Sequence, residues 1–540
     1  MPYFTIKSSF FPYFSDKILN DFKKIDELMY ILEESGVGKI LEYVKCKNKM
    51  CQGRIGYNPY NLFATIVYCF AKFKASLRDI EDKCIFDARV MYIMEGKTPD
   101  HSVIGDFINN YIVPYQFEIF TLINKQIIKS MNINIIDCFV DGTKIEANAN
   151  KYKFVWKPRK FHKNLNDKIL LFLEDINCQQ KFDEYIKSIE LLKILNDYVA
   201  ENNIDVEKIP SGRGKRRTKD QRNYKLGFSY LEKLLEYEEK ENICGENRNS
   251  YYKTDYSATA MALKADYYSG KGSNMHAAYN VQILVSNLLV LMYGIYQDRS
   301  DYYTLIPLLD NYYKHYGEYP MNLCADSGYG IYINYLYIKK NNIGNYVKFL
   351  QWNGEANGKR PQLFKLNENL DFICLNNCVG KVIELNKKHH LKDSKFYEFS
   401  GCQNCNFIHR CKNFLNDEKK NDDYRIKELS VSYEILKDEA RSNLLSPYGI
   451  QIRINRSIQV EGTFGQMKQN MMYQRFRRRG LESVSAEIML ECLGINIRRF
   501  ISSNTDKKFK QNCWKDYETL QPEVFPKCKE KKKLSRKLIT

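Results

Sequence analysis

The chain has no run of 18 apolar residues, so no part of it is expected to span a bilayer as a helix. Its first residues, MPYFTIKSSFFPYF, lack the basic start, apolar stretch and small-residue cleavage site of a signal peptide, so export is not expected. Proline is scarce, at 13 of 540 residues, and 44% hydrophobic with 14% aromatic residues suffices for cores, which excludes wholesale disorder. The 16 cysteines are scattered rather than packed into a framework, and they read as reduced thiols of a cytosolic protein. No Walker-type phosphate loop, G-x-S-x-G elbow or H-E-x-x-H occurs. That sets aside ATP-driven, serine-hydrolase and zinc-peptidase chemistry, and with them a nucleotide cofactor. Acids are in deficit. Against 83 Lys+Arg stand 65 Asp+Glu, a net charge of +18, and so basic a chain is expected to meet a polyanion, nucleic acid first. The length suits three or four domains, or fewer with large insertions.

Along the chain, residues 1–115 read as helical. Asn58 followed by Pro59 is a helix start, and Leu62, Ile66, Cys69, Phe70 and Phe73 then recur at helical spacing. Ser76 with Asp79 three residues on is a capping box, and Thr98-Pro99 opens a further helix. The run NINIIDCFVDGTKI is a buried-strand pattern that ends at Asp141-Gly142. Residues 160–250 are charged and helix-patterned, broken at SGRGKRRTKDQRNYK, where seven basic residues stand against one acid. HAAYNVQILVSN and LLVLMYGIY form a hairpin turning at Ser286-Asn287, followed by a helix in TLIPLLDNYYKHYG and strands in NLCADSGYG and GNYVKFL. Residues 351–440 are polar, cysteine-bearing and without clean periodicity. A helical pattern resumes after Glu461 and runs through Phe500.

Three acids stand where a metal-dependent nuclease needs them: Asp141 at a strand end, Asp326 just past another strand, and Glu461 at a helix start. Carboxylates from several elements can gather hard divalent cations such as Mg²⁺. Two such ions can serve an in-line displacement at a phosphodiester. Asp137, Asp298 and Asp301 compete for the same role. They rank below Asp326 because none lies in so clear a strand-to-turn context. Glu461 and Lys468 are seven residues apart, about two helical turns, so Lys468 can reach a phosphate beside the carboxylates. Beyond them Arg475, Arg477, Arg478 and Arg479, with Tyr473 and Phe476 interleaved, suit contacts to a DNA backbone.

The run DGTKIEANANKYKFVWKP from Asp141, ADSGYG around Asp326, and RSIQVEGTFGQMKQNMMYQRFRRRG around Glu461 resemble the insertion-sequence DDE transposases of bacteria. GYNPYNLFATIVYCFAKFKASLRDIEDKC followed by GKTPDHSVIGDF resembles the helical N-terminal domain of those enzymes. The resemblance covers most of residues 40–500 in the expected order. It implies an α/β fold with a ribonuclease-H-like mixed sheet, carrying helical and cysteine-bearing insertions behind an all-α N-terminal domain. It implies Asp141, Asp326 and Glu461 as the acidic triad, two Mg²⁺ or Mn²⁺ ions as cofactors, and terminal inverted repeats as substrate. Relatives carry a Tyr, Arg, Glu, Lys signature at fixed spacing. Here Glu461 and Lys468 keep their gap, but Arg456 sits one residue too far from the glutamate and Ile454 replaces the tyrosine. Whether Arg456 still grips a phosphate is left open by that shift.

Cys402-x2-Cys405-x5-Cys411 is a structural zinc pattern. Cys374, Cys378 and, less favourably, His409 can supply a fourth ligand, and the resemblance favours Cys374. Arg213, Lys215, Arg216 and Arg217 in the basic break, and the tail after residue 500, read as sequence-unspecific DNA contacts. GRGKRR is loosely like a minor-groove arm. The expected organisation is a helical DNA-binding or dimerisation domain at 1–115, a catalytic domain at 131–500 interrupted by insertions at 160–250 and 351–440, and a basic tail at 501–540. The expected protein is a cytoplasmic, nucleoid-associated DNA transposase that acts as a homodimer on double-stranded element ends and target. The alternatives are a non-catalytic DNA-binding protein or decayed transposase, and a ribonuclease-H-like nuclease.

Overall fold

The computed structural model describes residues 16–48, 56–73, 76–178, 182, 185–210, 216–246, 248–263, 275–358, 362–386, 388–389, 393–412 and 422–505. Among them no helix is long and apolar enough to cross a membrane. The fold is mixed α/β: helices lead into a central mixed sheet, and two smaller modules interrupt it.

The leading helices are α1 (Asp16–Glu34), α2 (Val37–Asn48), α3 (Pro59–Lys72), α4 (Leu77–Phe86), α5 (Ala88–Met94), α6 (His101–Phe107) and α7 (Gln116–Met131). Two starts follow the sequence pattern. The Asn58 side chain accepts the Tyr60 N–H with Pro59 at the first helical position, and Ser76 and Asp79 form the reciprocal capping box. The third start is displaced. Asp100, not Thr98, caps α6, because its carboxylate accepts both the Ser102 and Val103 N–H groups. Helix α3 is buried on nearly every side, which explains why its apolar residues exceed one stripe.

The sheet is built from β1 (Asp137–Glu146), β4 (Thr259–Ala262), β5 (Met275–Ser286), β6 (Leu289–Tyr296), β7 (Asn322–Gly330) and β8 (Gly344–Phe349). A short pair, β2 (Phe154–Trp156) and β3 (Ser250–Tyr252), lies outside it. In the central sheet the order is β6-β5-β1-β7-β8, with β4 sharing the outer edge of β5. β5 runs antiparallel to β1, whereas β7 is parallel to β1 and β8 to β7. This is the ribonuclease-H-like mixed sheet anticipated above. The β5–β6 hairpin turns through Asn287 and Leu288, both at positive φ (52° and 64°), as a two-residue primed turn requires. Strand β1 does not end at Asp141-Gly142. It continues to Glu146, with Gly142 paired to Gln282, because β5 is long enough to carry the ladder past the glycine.

The insertion after β2 holds α8 (Arg159–Asp175), α9 (Ser188–Glu201) and α10 (Lys219–Cys244) around a separate core that includes Leu165, Phe172, Leu195 and Leu231. The crossover helices α11 (Leu305–Tyr316) and α12 (Tyr332–Lys340) lead into β7 and β8. After the short α13 (Trp352–Ala356) the cysteine-bearing module follows. It consists of β9 (Phe364–Leu366), β10 (Phe372–Cys374), β11 (Lys381–Ile383), β12 (Lys395–Ser400), α14 (Ile408–Lys412) and β13 (Tyr424–Leu429), around Phe364, Phe372, Tyr397 and Phe399. Helical structure then resumes at α15 (Val431–Leu445), earlier than the sequence pattern suggested, capped by the Ser430 side chain. It continues as α16 (Pro447–Arg456), a π-helical turn at Ser457–Glu461, α17 (Gly462–Gly465) and a second π turn at Gln466–Asn470. Glu461 therefore lies inside a helical run and not at its start.

The last helix, α18 (Leu481–Thr505), packs against α3, α7 and β6, so one apolar core runs from the leading helices through the sheet. β6 is an edge strand, and Asn496 of α18 covers that edge. Its Oδ1 accepts the Val290 N–H at 2.9 Å, and its Nδ2 donates to Val290 O at 2.7 Å and to Asn124 Oδ1 of α7 at 2.8 Å. One amide thus satisfies backbone groups that would otherwise be buried unpaired. Replacing Asn496 with Ala leaves the Val290 N–H without an acceptor. Chemical unfolding is expected to show a loss of about 1–3 kcal/mol.

Candidate active site

The first half of β1, Asp137–Val140, is buried, and its parallel ladder with β7 closes at Val140 opposite Ala325. The next residue on each strand is an acid. Asp141 and Asp326 therefore emerge side by side on adjacent parallel strands, where β7 leaves the regular ladder. Asp141 also lies opposite Ile283 of β5. Burial pushes its carboxyl above the usual carboxylate range. Arg456 and the Gly142 N–H oppose that shift, and the charges of Asp326 and Asp301 add to it. Burial also pushes Asp326 upward, but Lys348 of β8, 3.3 Å away, and Arg456 outweigh it and hold the group below its ordinary value. Two neighbouring acids are thus driven in opposite directions.

Glu461 joins them through Arg456. The buried guanidinium places Nη1 3.1 Å from Asp141 Oδ2 and Nη2 3.5 Å from Glu461 Oε1. The spacing that departed from the family signature has a physical resolution. In an α-helix, residues five apart are turned about 140° from one another. The π turn at Ser457–Glu461 accommodates the extra residue, so Arg456 and Glu461 lie on one side of the run. Lys468, after the start of the second π turn, also reaches β1: its Nζ lies 2.5 Å from Thr143 Oγ1 and 3.0 Å from Lys144 O. Strand alternation puts Thr143 on the same face as Asp141. Lys348 and Thr143 were not singled out in the sequence, where a lysine on a short strand carries no signal.

The arginines that follow are engaged with the protein. Arg475 bonds Ala147 O at 3.4 Å and lies 3.6 Å from Glu146 Oε1. Arg479 bonds Asn148 O at 2.8 Å, and Arg478 reaches Asn109 beyond α6. The backbone N–H groups of Arg477 and Arg478 donate to Glu487, a buried acid of α18. Tyr473 and Phe476, interleaved among them, are core residues and not exposed stacking surfaces. Of the basic break, Arg213 and Lys215 lie outside the described residues, as does the tail beyond 505. Arg216 is exposed, and Arg217 Nε donates to Pro210 O at 2.7 Å. Asp137 is buried and accepts from Asn322 and Tyr448, a structural role. Asp301 stands beside Gly142, close enough for its charge to act on Asp141.

Cys374, Cys378, Cys402, Cys405 and Cys411 line a single cavity with Arg425. Two tight turns present them. Cys374 N–H donates to Cys378 O at 3.0 Å around Asn377, which has φ of +56°, and Cys405 N–H donates to Cys402 O at 3.3 Å. His409 is exposed and does not line the cavity. Neither here nor at the carboxylates, among the described residues, do three or more His, Cys, Asp or Glu side chains close into a metal-holding group.

Residues 374–501 match a protein-family model described as a transposase DDE domain. That stretch takes in Glu461, Lys468, the five cysteines and the arginine cluster, whereas Asp141 and Asp326 lie upstream of it. Over that stretch the chain is similar to transposase DDE domains. Comparison with curated proteins and with solved structures returns no match. That similarity supports a transposase function, for which DNA is the partner and phosphoryl transfer on nucleic acid the chemistry.

Beneath the arginine segment, Glu491 of α18 is fully buried, and burial with the neighbouring Glu487 pushes it up to about 8. A folded-state value above the ordinary 4.5 means that this group stabilises the fold fully below 4.5 and loses that contribution as pH rises to about 8. Glu491→Gln should therefore remove a pH-dependent penalty. In urea unfolding, its advantage over the parent is expected to widen between about pH 5 and about pH 8. A constant difference across that range would contradict the burial argument.

Proposed function

We propose that the chain is a cut-and-paste DNA transposase that cleaves and joins strands at the terminal inverted repeats of its element, using Asp141, Asp326 and Glu461. The observation that carries this reading is the placement of these acids: adjacent parallel strands bring up the two aspartates, and one guanidinium links Asp141 to Glu461. The donor set suits a hard divalent cation, Mg²⁺ or Mn²⁺, since all three are carboxylates. Burial first, and then the charges of Asp326 and Asp301, raise the Asp141 carboxyl, and a dication would offset both. A pair of bound ions supplies Lewis acidity to the attacking and leaving oxygens of an in-line displacement.

The protein's own part is positioning and charge. Asp141 and Asp326 orient from a rigid sheet, and Glu461 approaches from the helical run. Arg456 balances two of the three carboxylates and favours the ionised form of Asp141. Lys468, held at Thr143 on the face of Asp141, is placed to receive a phosphate. Arg475, Arg477, Arg478 and Arg479, together with the basic break at 213–217 and the tail after 500, contribute contacts along the DNA backbone. Two copies act together because two ends must be paired, with the leading helices serving DNA binding or pairing. The reaction belongs in a bacterial cytoplasm, on nucleoid DNA.

In the cysteine module a structural Zn²⁺ would be held by Cys402, Cys405, Cys411 and Cys374, with Cys378 as the rival for the last position. Thiolates from two tight turns are the donors such a site requires, and four of them close its shell.

Asp141→Asn and Glu461→Gln should each reduce Mg²⁺-dependent cleavage of end-containing DNA to background while binding of that DNA stays measurable; full cleavage by either variant overturns the triad. For the cysteine module, elemental analysis of purified protein should find about one zinc per chain. Zinc-free protein that is fully folded would exclude the metal.

A further inference from the structure

A bridge of side chains crosses the central strand next to Asp141. Gly142 of β1 pairs with Gln282 of β5, and a Cβ at 142 would lie 2.1 Å from Gln282 Nε2 and 2.9 Å from Asp301 Oδ1. The Gln282 side chain thus occupies the space the glycine leaves. Its Nε2 donates to Asp301 Oδ1 at 2.8 Å, and its Oε1 accepts from the hydroxyl of Tyr329. Tyr329 belongs to β7, on the opposite side of β1 from β5, so this one amide spans the strand that carries Asp141. Asn280 Nδ2 donates to the same Asp301 oxygen at 2.8 Å. Gly328, two residues after Asp326, faces the same carboxylate, and a Cβ there would sit in ordinary van der Waals contact, 3.5 Å from Asp301 Oδ2. Asp301 thus lies beside the residues that follow both aspartates, and Gly142 is the one that makes room for its partner Gln282. Asp301 itself is anchored through its carbonyl, which accepts from Thr304 Oγ1 at 2.9 Å at the entry to α11.

We propose that Asp301 is a positioning residue of the DDE site, which holds Gln282 across Gly142 against Tyr329 and so sets the spacing of Asp141 from Asp326. The inference rests on the reading that those two aspartates hold the catalytic cations. The physical argument is one of orientation. An amide can meet a tyrosine hydroxyl with either end, and an anionic acceptor on Nε2 turns Oε1 toward Tyr329 through a charge-assisted bond. Without the anion, one N–H of buried Asn280 and one of buried Gln282 lose their acceptor, Gln282 Nε2 keeps only Asn280 Oδ1 at 2.9 Å, and the clamp between β5 and β7 loosens where the carboxylates emerge.

The test uses the full chain carrying Asp301→Ala, Asp301→Asn or Tyr329→Phe, with Asp141→Asn alongside. Binding of Mn²⁺ alone is read by electron paramagnetic resonance of the free ion. Cleavage is read on a duplex containing the DNA that flanks the coding sequence. Asp301→Ala should weaken Mn²⁺ binding and slow cleavage by about tenfold each, the scale of outer partners of metal ligands, with duplex affinity near the parent and a lowered thermal midpoint. Asp301→Asn should fall between. Adding Gln282→Ala to Asp301→Ala should cost little more, since both interrupt one bridge. Tyr329→Phe breaks the bridge from the other strand and decides the matter if Asp301→Ala does not fold. Parental Mn²⁺ affinity in the folded Asp301 or Tyr329 variants, or full additivity with Gln282→Ala, overturns the proposal. If Asp141→Asn also binds Mn²⁺ and cleaves as the parent does, the reading of the site itself has failed.

Discussion

A half-buried carboxylate beside two other acids is an expensive arrangement, and at Asp141 it is Arg456 that makes it tolerable. The guanidinium is itself buried, so neither partner could stand there alone without a large desolvation cost. Much of the architecture follows from keeping that pair together. The helical run bearing Arg456 has to be held against β1, and several bonds hold it. Gln459 accepts from the Leu288 N–H at the hairpin turn. Thr463 donates to Gln459 O at 2.7 Å, and Arg499 of α18 donates to the Thr463 hydroxyl at 3.0 Å. The same α18 seals the edge of β6 through Asn496. Site and core therefore share one support, and the leading helices join it through α3 and α7.

The elements were legible where local chemistry decides them. Asn58-Pro59, the Ser76–Asp79 box and the β5–β6 hairpin could be read because capping and turn formation depend on a few adjacent residues. So could the acids at 141 and 326, because an apolar strand that meets an acid marks the point where burial stops. Legibility failed where a partner distant in sequence decides. Nothing near Asp141-Gly142 indicates that β1 continues, since the continuation depends on the length of β5, more than a hundred residues later. Thr98-Pro99 was a plausible start that Asp100 overrode with two backbone bonds.

The spacing of Arg456 is the most instructive failure. Read on an α-helical template, one extra residue moves the arginine about 140° away from the glutamate. Whether a helix absorbs such an insertion as a π turn depends on what the two side chains gain by facing one way. Here the gain is a shared compensation of Asp141 and Glu461, and Asp141 is supplied by a strand 315 residues upstream of Arg456. Periodicity cannot contain that information. The arginines at 475–479 have contacts that their charge alone does not indicate. The backbones of Arg477 and Arg478 grip buried Glu487, and the side chains of Arg475 and Arg479 bond carbonyls just beyond β1.

That last point bears on how the net charge of +18 is used. The cations nearest the carboxylates are already engaged: Arg456 with Asp141 and Glu461, Lys348 with Asp326, and Lys468 with Thr143 and Lys144. Under the proposed reading, divalent ions taken up by the acids would compete with Arg456 and Lys348 for the same carboxylate charge. The displaced cations are then the groups closest to an incoming phosphate. Metal uptake and phosphate binding become linked by exchange of partners, and each is made more favourable by the other. Such exchange also avoids holding an uncompensated buried cation in the absence of DNA. The positive charge that first suggested a polyanion therefore acts at this site on internal carboxylates, and under the proposed reading metal binding would release it to a phosphate.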